Sequence, residues 1–312
     1  MTDTSILNLT ISSLMAEGRN QVYVILDDPV TLIDSGLATS IAYGRLIEQL
    51  AKHNLTVKDI GRVILTHKHI DHIGNAWRIQ RESDAEILIH ESEVPAVNDT
   101  DARGGRHRIL IDTRLAEWKV PQKAQPKPSN ATRGTWEIES ATASGLVDGQ
   151  KIEMGSGELE VIHTPGHTHG SICLKYGRHL FSGDHVLPAI SPNVGGGDMR
   201  RRGLLIQYLG SLRRIIKLGP MIDMVYPGHG DPFDHLVRRC NWLIDHHHTR
   251  LEKITGILEE AGTVSIYHVA SKLFGELRDY HVILGCAEAQ AHLEYLVDNG
   301  RVVHNEHQYC LA

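Results

Sequence analysis

Cysteine is scarce in this chain of 312 residues, and the four present, Cys173, Cys240, Cys286 and Cys310, are scattered without paired spacing. That argues against a disulfide framework and against a cysteine-based zinc site, and it fits a reducing cytoplasm. Long apolar runs are missing too. No segment approaches the roughly 18 consecutive apolar residues of a membrane-crossing helix, and Met1 to Asn20 lacks the basic start and apolar stretch of a secretory leader. No strong excess of one charge exists either. A formal net charge of -6 and a pI near 6.4 offer no bulk attraction to nucleic acid or to anionic lipid.

Histidine is what the chain has in quantity, with 21 residues. Composition does not separate ligands from surface residues, so position must decide. Val22 to Leu26 and Thr31 to Asp34, separated by Asp27-Asp28-Pro29, read as a strand hairpin. A helical spacing follows from Ser40 to His53, then a short buried-strand run from Arg62 to Thr66. Further strands are expected at Ile87 to Ile89, Leu159 to Ile162, Ser171 to Leu174 and Met224 to Tyr226. Strands and helices intermixed in this way predict a layered α/β architecture.

Residues 95–145 change character, with Gly104-Gly105, Pro121, Pro126, Pro128, Trp118 and Trp136 in polar surroundings; they read as an insertion or lid. After Asp245 the texture turns helical, at Leu251 to Glu260, Ile266 to Phe274 and Glu288 to Val297, and closes on two strand-like runs at Arg301 to Val303 and Gln308 to Cys310. Three helices and a terminal hairpin predict a winged-helix-like domain. The expected division is a catalytic domain over 1–245 and a small domain over 246–312.

The chemistry concentrates in Thr66-His67-Lys68-His69-Ile70-Asp71-His72. Alternate residues of an extended chain face one side, so His67 and His69 point the same way. Asp71 and His72 fall at the start of the next helix and face elsewhere. Four ligand-type residues within six positions at a strand end suit two adjacent metals, one taking His67 and His69, the other Asp71 and His72. Imidazole and carboxylate donors are appropriate to zinc, iron or manganese.

This motif resembles the signature of the metallo-β-lactamase superfamily, whose fold is a four-layer αββα sandwich. The resemblance nominates His167 in Thr164-Pro165-Gly166-His167-Thr168, in preference to His163 or His169. It also nominates a bridging Asp184 in Ser182-Gly183-Asp184 and a last histidine, His229, in Pro227-Gly228-His229-Gly230. It implies His67, His69 and His167 on one metal, Asp71, His72 and His229 on a second, and Asp184 between them. Glycine and proline at these turns let the chain reverse sharply and bring a side chain close to an ion. His163, His169, His185 and Asp34 are candidates for outer hydrogen-bond partners, and His246-His247-His248 reads as surface.

Two divalent ions, zinc favoured over iron or manganese, acidify a shared water toward neutrality. Asp71 and Asp184 are the residues expected to hold and move its proton. The opening motif and the Pro-Gly-His-Thr turn resemble the glyoxalase II branch and lactamase-like proteins that carry an appended winged helix, so an acyl thioester or related carboxylic ester is the expected substrate. A thiolate whose conjugate pKa is near 8.5 leaves without a general acid. Alternatives from other classes are a phosphodiesterase or endoribonuclease, a lactonase, and a non-catalytic binding protein. Arg200-Arg201-Arg202, Arg213-Arg214 and Arg238-Arg239 speak for phosphate, but the third C-terminal helix carries Glu288, Glu294 and Asp298 and no Lys or Arg, a poor composition for a groove of negative charge. A flavin-linked di-iron relative is disfavoured by His69, where a glutamate is expected. A homodimer is left open.

Overall fold

The computed structural model describes residues 5–11, 19–99, 101–126, 137–196, 198–199 and 201–312, and their side chains apart from those of 101–108. Pro128, Trp136 and Arg200, singled out above, lie outside the described residues. A first sheet joins β1 (Ile6–Ile11), β2 (Asn20–Ile25), β3 (Thr31–Ile33), β4 (Arg62–Ile64), β5 (Glu86–His90) and β6 (Ala143–Leu146) in that order. A second contains β7 (Lys151–Met154), β8 (Gly157–His163), β9 (Ile172–Tyr176), β10 (His179–Gly183) and β11 (Met224–Pro227), arranged β11-β10-β9-β8-β7.

Strand alternation builds the layers, because successive side chains face opposite sides of a sheet. In β2, β3, β4 and β5, residues Val22, Val24, Leu32, Val63, Ile87 and Ile89 pack in one cluster with α1 (Ser40–Ala51) and α3 (Ala76–Ser83). Their neighbours Tyr23, Ile25, Ile33, Ile64 and Leu88 turn the other way and meet Leu159, Val161, Ile172, Leu174 and Phe181 of the second sheet. From that sheet Ile162, Cys173, Leu180 and Val225 face out again, onto α6 (Leu204–Leu218) and α7 (Leu236–Ala261). The order is helix, sheet, sheet, helix, as expected. Phe181 is fully buried between the sheets, with its ring 5.1 Å from Tyr226 and 5.6 Å from Tyr23; its truncation to alanine would cost about 3–5 kcal/mol.

The 95–145 stretch is more than a surface excursion. It contains α4 (Val94–Asn98) in part, α5 (Asp101–Glu117) and β6, which pairs with β5. Leu115, Trp118 and Val120 are buried in the cluster under the second sheet, and Trp118 Nε1 donates to Gln290 Oε1 at 2.6 Å.

Three helices and a hairpin close the chain: α7, α8 (Ile266–Phe274), α9 (Tyr280–Asp298), then β12 (Val302–Asn305) paired with β13 (Gln308–Leu311). The division expected at 245/246 falls inside α7, which runs unbroken for 26 residues. Leu251, Ile254 and Leu293 share one core with Leu212 and Val225, so the C-terminal helices cover the second sheet.

The reading of His246-His247-His248 as surface holds for the exposed His248 and fails at the buried His247. Three consecutive helical side chains point about 100° apart, and His247 falls in register with Leu243, Leu251, Ile254 and Leu258, all buried. It is 0% exposed, with Nδ1 3.0 Å from His292 Nε2. Among the described residues no helix is long and apolar enough to cross a membrane.

Candidate metal centre

The seven nominated residues converge from four segments of the chain. His67 and His69 follow β4, Asp71 and His72 sit on α2 (Ile70–Ile73), His167 lies between β8 and β9, Asp184 follows β10 and His229 follows β11. The carboxyl ends of β4, β10 and β11 therefore meet above both sheets, and Ile172 N–H donates to the Thr66 carbonyl at 2.9 Å to tie the loops together. Gly183 and Gly228 make the approach close enough. Gly183 has φ +48°, and a Cβ there would meet Thr66 Cβ at 2.7 Å. A Cβ on Gly228 would press into Asp184 and lie 2.7 Å from His72 Cε1.

Two groups of ligand atoms form, each within 4.8 Å: His67, His69, His167 and Asp184, and Asp71, His72 and His229. In the first, His69 Nδ1 is 3.0 Å from His67 Nε2 and 2.9 Å from His167 Nε2, while Asp184 Oδ2 is 3.9 and 3.6 Å from those two nitrogens. In the second, Asp71 Oδ2 lies 3.3 Å from His229 Nε2 and 3.8 Å from His72 Nε2. Asp184 reaches this group too, with Oδ1 3.5 Å from His72 Nε2 and Oδ2 3.5 Å from His229 Nε2. Ligands about 2.0–2.1 Å from a tetrahedral zinc are themselves about 3.3 Å apart. The observed spacings are those of donors around a shared centre, and most are too long for well-formed hydrogen bonds.

The residues fit divalent ions on a second ground. His72 Nε2, His229 Nε2 and Asp184 Oδ1 are buried without a hydrogen-bond partner among the described residues, which is costly unless something satisfies them. His72 and His167 are fixed from behind, whereas His229 Nδ1 has no hydrogen-bond partner among the described residues. His72 Nδ1 is 2.8 Å from Asp34 Oδ2, and His167 Nδ1–H donates to the Asn193 carbonyl at 2.7 Å, leaving each Nε2 with its lone pair toward the centre. Asp34 also accepts Thr66 N–H at 2.7 Å, and the Thr66 hydroxyl stands 3.1 Å from His67 Nδ1.

Titration follows the same geometry. Burial, reinforced by neighbouring imidazoles, holds His67 and His69 well below the ordinary histidine pKa, the neutral form a ligand must have. Burial also opposes charge on His229 and His72, yet the Asp184 carboxylate and its neighbours overcome it, raising His229 to about 10 and His72 well above its usual value. Without a cation this negative field gathers protons; a cation would displace them.

Of the outer candidates, Asp34 contacts a nominated ligand directly. His163 acts farther out, donating from Nε2 to the His169 carbonyl at 2.7 Å and stacking on His90 at 4.1 Å. Sequence reasoning missed Asn20, whose Nδ2 donates to Asp71 Oδ2 at 3.2 Å, and Asn193. Neither carries a motif. The arginines are partly committed elsewhere: Arg214 pairs with Asp148 at 2.8 Å, Arg202 lies 3.8 Å from Glu294, and Arg239 donates to the carbonyls of Leu187 and Ile190 at 2.6 and 2.7 Å.

Comparison with known proteins agrees with this geometry. The sequence model of the metallo-beta-lactamase superfamily matches residues 15–229, ending on His229. A Bacillus subtilis (strain 168) protein named "Probable metallo-hydrolase YqjP" is 31% identical over 307 residues, 95% of this chain and 93% of its own. Human "Acyl-coenzyme A thioesterase MBLAC2" is 28% identical over 214 residues, 65% of this chain and 69% of its own. A solved metallo-beta-lactamase family protein of Thermus thermophilus superposes with a TM-score of 0.86 at 26% identity, covering 98% of each chain. With the matched span enclosing all seven convergent residues, the chain belongs to the metallo-beta-lactamase superfamily, a family of metal-dependent hydrolases.

Proposed function

We propose that this protein is a dinuclear hydrolase of acyl thioesters. The observation that carries the reading is Asp184, one carboxylate lying within 3.5–3.9 Å of four imidazole nitrogens drawn from both ligand groups. His67, His69 and His167 would hold one ion, Asp71, His72 and His229 the other, with Asp184 shared; zinc is the preferred ion for this nitrogen and oxygen donor set. Two such ions, when bound, would supply an acidified water and positive charge for the substrate oxygen. Asp71 is kept ionised: burial opposes its charge, but His72 and His229 outweigh that and hold its pKa below the usual range. An ionised Asp71 and Asp184 can take up the proton that the water gives up.

Thioesters are favoured for two reasons. The seven residues nominated as ligands include no dedicated general acid, and a thiolate departs without one, whereas an alkoxide or amine needs one. The acyl-coenzyme A thioesterase among the relatives supports the same class. The C-terminal helices, winged-helix-like in order, do not favour nucleic acid: on α9, Glu288 and Glu294 are buried at 3% and 5% exposure, facing the protein body. We read 1–245 as the catalytic unit and 246–312 as its support.

The test is a substrate panel on the metal-loaded protein: acyl thioesters, lactones, bis-aryl phosphodiesters and single-stranded RNA, with Asp71→Ala and His229→Ala as controls. Acyl thioesters should turn over best and both variants should lose activity by about 10²-fold or more. Phosphodiesters outrunning every thioester and ester would reverse the substrate assignment.

A further inference from the structure

Helix α9 lies outside residues 15–229 matched by the family, yet it reaches the metal centre through a single turn. Glu288 Oε2 accepts the Val194 N–H at 2.7 Å, and its other oxygen pairs with Arg250 of α7. Asn193, the residue before, donates from Nδ2 to the Leu284 carbonyl of α9 at 3.2 Å, and its Oδ1 accepts Gly196 N–H at 2.8 Å. The backbone carbonyl of the same Asn193 accepts His167 Nδ1–H at 2.7 Å.

A carboxylate at 3% exposure is expensive to bury and contributes nothing to apolar packing. Here its partners are a guanidinium and the N–H of the Asn193–Val194 peptide, the same peptide whose carbonyl orients His167. We propose that Glu288 is a positioning residue for the metal centre. By holding Val194 N–H it keeps the Asn193 carbonyl where His167 must present Nε2, not Nδ1, to the ion. The inference rests on the reading of His167 as a ligand.

Glu288 also belongs to a third buried group with His247 and His292. Two of its imidazole nitrogens are turned on each other, His247 Nδ1 lying 3.0 Å from His292 Nε2, and His292 Nδ1 donates to the Glu288 carbonyl at 2.7 Å. Arg250 supplies the positive charge at the carboxylate. These contacts make the histidines a support for the helix turn that carries Glu288.

The experiment is cobalt(II) binding to the full-length protein by competition with a chromophoric chelator, with the His167 Nδ1–H signal followed by NMR. Glu288→Ala should weaken one of two cobalt equivalents by about 10- to 100-fold, the usual cost of removing an outer partner, and shift the His167 signal. Glu288→Gln keeps an acceptor for Val194 N–H and should stay within about threefold of wild type, by the same scale. Leu293→Ala, a cavity on the buried face of the same helix, should bind cobalt as wild type does. Folded Glu288→Ala with wild-type affinity overturns the inference, and so does Leu293→Ala weakening cobalt equally. Should Glu288→Ala not fold, Glu288→Asp carries the test: its shorter side chain keeps the charge but draws the carboxylate back from Val194 N–H, so it should weaken the same equivalent, and unchanged affinity overturns the proposal. His167→Ala separates the two levels. If it holds both equivalents as wild type does, the ligand reading falls and this inference with it; if it loses one while Glu288→Ala loses none, only the positioning role falls.

Discussion

Asp34 Oδ2 lies 2.8 Å from His72 Nδ1, so a turn aspartate with φ +63° sets which nitrogen of the imidazole, Nε2, meets the centre. The carboxylate also accepts Thr66 N–H and the Thr66 hydroxyl, which makes it an all-acceptor hub. Asp34→Asn tolerates the left-handed backbone but turns one donor against another. Metal affinity at the Asp71, His72 and His229 group should fall by about 10- to 100-fold, measured by chelator competition. Unchanged affinity would remove Asp34 from the account.

Gly228→Ala should damage the centre while sparing the fold. The added methyl meets Asp184 and His72 Cε1, and overpacking of this kind costs about 1–3 kcal/mol. Circular dichroism should remain native while bound metal drops below the wild-type stoichiometry. A fully loaded, fully active Gly228→Ala would show that the close approach is not needed.

Much of this was legible from local pattern. His67 to His72 declares itself because strand alternation and a following helix separate four ligand-type residues onto two faces, whereas His167 and His229 are nominated by the resemblance of their Pro-Gly-His turns to the family's. Asn193 and Glu288 leave no such trace: one acts through a backbone carbonyl, and the other lies 94 residues from its partner Val194. His247 was misread because a run of three histidines suggests a solvated face, although its spacing from Leu243 and Leu251 carries the helical period that buries it. Helix α6 was likewise hidden behind Arg213-Arg214, while Leu205, Tyr208, Leu209, Leu212 and Ile215 already spelled its buried stripe.

Acid should destabilise the C-terminal core. Burial, with Arg250 nearby, pushes His292 down to about 3, and burial beside His292 holds His247 well below its ordinary value. The unfolded chain, with histidine near 6.5, binds protons that the folded form does not. Stability is therefore full above about pH 6.5 and is lost as pH falls toward 3. In urea unfolding, the drop between pH 7 and pH 5 should be about 2 kcal/mol smaller in His292→Gln than in wild type. Equal drops would mean that His292 is not held neutral.

Metal removal should lower the melting temperature reversibly, because His72 Nε2, His229 Nε2 and Asp184 Oδ1 are left buried without partners. An ion at 100 times its dissociation constant contributes about 2.7 kcal/mol, a shift of several degrees. Differential scanning calorimetry with chelator, then with zinc restored, measures it. A transition indifferent to chelator would contradict the fit of the site to a cation.

Most direct for the central claim is a stoichiometric zinc titration of the metal-depleted protein, followed by hydrolysis of an acyl-coenzyme A thioester. Activity should rise to a plateau at two equivalents per chain and stay absent in Asp184→Ala at any zinc concentration. Full hydrolysis without metal, or a plateau at one equivalent, would contradict a shared two-ion centre.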